Sequence, residues 1–88
     1  MTMTNVEVVF RQLLPDDTLL KTVQRWCRAL DPHEEAHWHV ALEKSERGVA
    51  ARIARRLGGG ERRVRSAAPD AERAVEDAFD TLRAQLAS

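Results

Sequence analysis

The chain has 88 residues, 43% of them hydrophobic and 32% charged, which suits one small globular domain and leaves no length for a second core. With 14 basic and 14 acidic side chains the formal charge is zero, so a uniformly basic or acidic protein is excluded. The balance hides a segregation: residues 47–65 hold seven arginines against one acid, net +6, whereas residues 1–46 (five basic, eight acidic) and 66–88 (two basic, five acidic) each carry −3.

The start, MTMTNVEVVF, has no basic n-region and no long apolar run. It reads as neither a signal peptide nor a membrane anchor, which points to the cytoplasm and away from a membrane partner. Residues 1–4 are expected to be disordered, and 1–88 to form a single domain. A lone cysteine, Cys27, excludes an intramolecular disulfide and suits a reducing cytosol. On a helix it reads as a small buried hydrophobe.

In residues 5–12, NVEVVFRQ, Val6, Val8 and Phe10 alternate with Glu7, Val9 and Arg11. That period of two in a β-branched run predicts a strand. Pro15, Asp16 and Asp17 then supply helix N-terminal chemistry, since acids there face the positive end of the helix dipole. Leu19, Val23, Trp26 and Leu30, widened by Leu20 and Cys27, make the stripe of a helix about four turns long. Pro32 lies just past its end.

Residues 35–57 admit two readings. As strands, Trp38, Val40 and Leu42 alternate with His37, His39 and Ala41, and Val49, Ala51 and Ile53 alternate with Ala50, Arg52 and Ala54. As a helix, Val49, Ile53 and Leu57 share a face, and Ala and Arg are good helix formers. Propensity alone favours the helix, which would give a three-helix bundle. Against it, the first strand would lack a partner, and Gly48 and the Gly58–60 triplet are spaced as hairpin reversals. The strand reading is taken up largely because of the family resemblance of the final helix. A fourth strand is expected over Arg62–Ala67, with Val64 and Ser66 on one side and Arg63 and Arg65 on the other. Pro69 and Asp70 open a second helix whose stripe is Ala71, Ala74, Val75, Ala78, Phe79, Leu82 and Leu86.

The expected fold class is therefore α+β, in the order β-α-β-β-β-α, with two helices packed on one face of a four-stranded sheet. The other face is left to solvent. Alternation places Arg52, Arg56, Arg63 and Arg65 on it, with His37 and His39 alongside. The arginine guanidinium is always charged and donates two hydrogen bonds to one phosphate, so these four are the candidate RNA-binding residues. Arg25, Arg28 and Arg83 are secondary candidates on the helices. The plainer alternative is a solvated charged face, or one neutralised by an acidic partner or by the chain's own acidic wings.

Other clusters point to no chemistry. His37 and His39 have a spacing found in some zinc sites, but His33 falls in a loop and Cys27 in the core, so no metal or other cofactor is expected. Glu76, Asp77 and Asp80 are ordinary for the exposed side of a helix, and no nucleophile or phosphate loop accompanies them, so no catalytic residue is assigned. Trp26 and Trp38 lie on apolar faces and are expected to pack in the core.

The final helix, DAERAVEDAFDTLRAQL from Asp70 to Leu86, resembles that of the ribosome hibernation-promoting factor and ribosome-associated inhibitor family, also called sigma 54 modulation proteins. Asp70, Ala74, Val75, Glu76, Ala78, Asp80, Leu82, Gln85 and Leu86 match its pattern identically or closely. Gly58–60 stand where the family has a glycine turn, and Leu19, Val23 and Leu30 fit its first helix. Thr81 and Ala84 replace a lysine and an arginine of the family pattern, Glu72 a tyrosine, and Trp26 and Ala29 positions that are usually basic. The resemblance implies a fold similar to double-stranded RNA-binding domains. It also implies binding to the small ribosomal subunit through structured rRNA, which silences translation. A divergent member without ribosome binding would instead be a protein–protein interaction module, for example a homodimer.

Overall fold

The computed structural model describes residues 5–87, so the expectation for residues 1–4 lies outside the described residues. Within them the elements are β1 (Val6–Arg11), α1 (Asp17–Leu30), β2 (His37–Ser45), β3 (Gly48–Leu57), β4 (Gly60–Ala68) and α2 (Ala71–Ala87). This is the α+β order anticipated from the sequence. The helical reading of 35–57 is replaced by two long strands. No helix among the described residues is long and apolar enough to cross a membrane.

The four strands form one sheet in sequential order, with β1 parallel to β2 and the other pairs antiparallel. The parallel pair follows from α1, which supplies the crossover that a tight hairpin cannot. One register row shows how the sheet is built: Val8 lies opposite Val40, Val40 opposite Ile53, and Ile53 opposite Val64. Val40, Ile53 and Val64 are buried and Val8 packs against them. Because strand side chains alternate, every second residue along this row's neighbours also faces the helices.

Both helices cover that side. Leu19, Val23 and Cys27 of α1 and Ala74, Val75, Ala78, Phe79 and Leu82 of α2 are buried against the sheet. Phe79 is the largest fully buried side chain. Trp38 is buried 6.2 Å from its ring, and Trp26, half-buried, meets it edge-on at 5.2 Å. Both tryptophans thus pack with the core as expected. Each helix is started by an aspartate: Asp16 accepts from the N–H groups of Thr18 (2.9 Å) and Leu19 (3.2 Å), and Asp70 from that of Arg73 (2.8 Å).

Two local features tie the layers together. Asp31, at the end of α1, is a buried carboxylate that accepts from the backbone N–H groups of Glu35 (3.0 Å) and Ala36 (2.9 Å) and from the Trp38 indole (3.4 Å). Burial pushes its pKa up, but these hydrogen bonds and the Arg55 charge outweigh burial and hold it below the ordinary 3.8. Burial, reinforced by Asp31's negative charge, pushes the Cys27 thiol up to about 12, so it stays protonated and inert. Gly48, with φ +146°, is the second feature. A Cβ there would lie 2.2 Å from the Ala68 carbonyl oxygen and 2.7 Å from the Pro69 Cα, where the chain leaves β4 for α2.

Candidate nucleic-acid interface

The β2–β3 and β3–β4 hairpins have two-residue turns, Glu46-Arg47 and Gly58-Gly59. In the second, Gly58 takes φ +61°, a conformation open to glycine at no steric cost. The triplet is thus divided, because Gly60 already belongs to β4 and pairs with Leu57. The tight reversal sets the register that matters for the arginines: Arg52 opposite Arg65, Ala54 opposite Arg63, Arg55 opposite Arg62, and Arg56 opposite Glu61.

Parity then divides the arginines between the two faces. Arg52, Arg56, Arg63 and Arg65 line a shallow trough on the uncovered face, together with His37, His39, Glu7, Glu43 and Arg11. Arg55 and Arg62 belong to the helix-covered side. There Arg55 lies over the Trp38 ring at 5.6 Å, and its Nε is buried without a hydrogen-bond partner among the described residues. Arg55 therefore acts in packing, with a residual polar cost, rather than on the open face.

Within the trough the four arginines are not equivalent. Arg52 and Arg65 face each other across β3 and β4, both exposed, and neither forms an ion pair among the described residues. Arg56 and Arg63 share the Glu61 carboxylate: Arg56 Nε lies 3.5 Å from Oε1, and Arg63 Nε donates to Oε2. The Arg63 hydrogen bond, helped by the charges of Arg63 and Arg56, holds the Glu61 carboxyl below the usual carboxylate range. His39 Nδ1 lies 3.0 Å from Glu7 Oε1 on the neighbouring strand.

The secondary candidates do not join this surface. Arg25 and Arg28 are exposed on α1, and Arg83 on α2, in the layer on the opposite side of the sheet. Arg83 pairs with Asp80 and lies over Trp26 at 5.9 Å. Two features of the trough went unread in the sequence: Arg11 at its edge and the bridging position of Glu61. The alternation of Arg11 with Val6, Val8 and Phe10 already carried the first. No group of three or more His, Cys, Asp or Glu residues that could hold a metal ion occurs among the described residues.

Two helices on one face of a four-stranded sheet, with a basic trough on the other, define a small β-α-β-β-β-α domain. The chain matches no family model, and no curated protein matches it by sequence. Solved structures do. It is similar to the N-terminal domain of Thermus thermophilus Protein Y at 27% identity, with a TM-score of 0.80 and 94% of each chain covered. A ribosomal subunit interface protein from Coxiella burnetii shares the fold at 13% identity, with a TM-score of 0.83 over 93% of this chain and 92% of that one. These neighbours match the ribosome hibernation-promoting factor family, which the last helix resembles.

Proposed function

We propose that this domain is a cytoplasmic, ribosome-associated translation inhibitor that binds structured rRNA of the small subunit through its open sheet face. The likeness to a protein described as a ribosomal subunit interface protein, and to Protein Y at 27% identity, supports the ribosomal role. The observation that carries the choice of surface is the Arg52–Arg65 pair. Like charges directly opposite in a sheet cost stability, so a ligand that neutralises both explains their placement better than folding does.

The kind of ligand follows from what the trough lacks. Phe10 and Trp38 turn toward the helices, so the face offers no aromatic platform apart from two imidazoles on which single-stranded bases might be stacked. Guanidinium groups spread over two strands suit the phosphates of a folded RNA, recognised by shape and backbone. Four such contacts give a fall of log K with log salt of slope roughly −3 to −4. Sedimentation of the protein with purified small subunits over a salt series measures that slope. A protein that stays in the supernatant even at low salt would leave the protein–protein module as the better reading.

A further inference from the structure

Glu61 is the one acid in the +6 segment, and the fold places it where two arginines converge. Arg56 reaches it from the facing position on β3, and Arg63 from the same face of β4 two residues on. Each carboxylate oxygen serves one guanidinium. Two non-bridging oxygens of a phosphodiester would ask for the same arrangement: a pair of planar donors on either side of a trigonal or tetrahedral oxyanion.

We propose that Arg56 and Arg63 form an oxyanion site for a backbone phosphate, and that Glu61 occupies it as an intramolecular stand-in which the phosphate displaces. The inference rests on the ribosomal-RNA reading of the open face and specifies how that face is regulated. Displacement costs little on the arginine side, because the Arg56 and Arg63 side chains are 69% and 79% exposed; Glu61, 27% exposed, is the less solvated partner, and ion pairs at such a surface hold weakly. Arg52 and Arg65, paired with no acid among the described residues, make first contact with the polyanion. Arg56 and Arg63 join only when a second phosphate lies at the right distance to replace Glu61. A stray anion or an unstructured strand touching one pair gains little, whereas a rigid RNA surface that presents phosphates to both pairs gains the full set. Glu61 thus acts as a filter for spacing rather than as a simple loss of charge.

The test compares Glu61→Gln with Glu43→Gln, which removes the same charge from the same trough where no ion pair is made among the described residues. Inorganic phosphate is titrated while the arginine Nε–Hε resonances are followed, and the core amide shifts report that each variant is folded. Glu61→Gln is expected to bind phosphate several-fold more tightly at Arg56 and Arg63, and Glu43→Gln to stay close to the wild type. The gain should vanish when Arg56→Gln and Arg63→Gln are added. With small subunits, Glu61→Gln should tighten binding across the salt series while the slope stays near that of the wild type, because the same four phosphates are contacted. Equal effects of the two glutamate variants, or no gain in phosphate affinity, would overturn the proposal. Tighter phosphate binding by a protein that never co-sediments would uphold the oxyanion site and overturn the ribosomal reading alone.

Discussion

Arg55 and Arg56 are adjacent in sequence and lie on opposite faces of the same strand, and their surroundings have nothing in common. Arg55 turns inward, lies over the Trp38 ring, supports the buried Asp31 carboxylate by its charge and leaves its own Nε without a partner among the described residues. Arg56 turns outward into water, with an exposed glutamate beside it. The covered face consists of side chains whose removal opens a hole or strands a buried polar group. The open face carries, beside the small buried Ala41 and Ala50, exposed charged side chains that contribute little to the core, arranged at some cost in like-charge proximity. Charged side chains that add little to the core yet are electrostatically unfavourable mark where binding is to be sought.

Substitutions on the two faces should therefore separate cleanly, with the largest effect at the centre of the covered one. Phe79→Ala removes the biggest buried side chain and the ring that Trp26 and Trp38 both meet, and should lower stability by about 3–5 kcal/mol in urea unfolding. Gly48→Ala comes next. Its Cβ would press on the backbone of Ala68 and Pro69 and push the start of α2 away from the sheet, at a loss above about 2 kcal/mol. Gly59→Ala, where a Cβ meets nothing within 4 Å, is the matched control and should change stability by less than about 0.5 kcal/mol.

Asp31 sharpens the comparison through pH. Asp31→Ala strands two backbone N–H groups beneath the α1–β2 loop and should cost about 1–3 kcal/mol. The wild-type carboxylate has a lowered pKa in the folded state, so its contribution is complete above the ordinary value of 3.8 and is lost as pH falls through the lower folded value. Urea midpoints measured downward from pH 5 should fall more steeply for the wild type than for Asp31→Asn. The smallest effect belongs to the open face: Arg52→Gln should leave stability within about 0.5 kcal/mol, shifted toward stabilisation because it removes the like charge opposite Arg65.

What the sequence made legible was periodic. Alternation in β1 and β4, the 3.6-residue stripes of both helices and the acids at their starts placed most elements within a few residues. The same alternation assigns Arg52, Arg56, Arg63 and Arg65 to one side. The ambiguity over residues 35–57 arose because Ala and Arg favour helix locally, whereas β3 is decided by two partners distant in sequence, β2 and β4. Asp31 was unreadable for a related reason. An acid after a helix looks like any loop residue until β2 brings Ala36 and Trp38 onto it. Glu61 looked like a minor dilution of the basic segment, since only the two-residue turn shows that it faces Arg56. Periodicity tells which side of a sheet a residue occupies; pairing across strands decides what it meets there.

The contrast between the two faces is tested most directly by charge reversal, read out as co-sedimentation with purified small subunits at low salt. Arg52→Glu combined with Arg63→Glu should abolish sedimentation while leaving the urea midpoint close to that of the wild type. Arg25→Glu combined with Arg28→Glu, the same charge change on the far side of the molecule, should weaken binding far less. Full retention of binding by the first pair, or its loss only with the second, would contradict the assignment of the open sheet face as the RNA-binding surface.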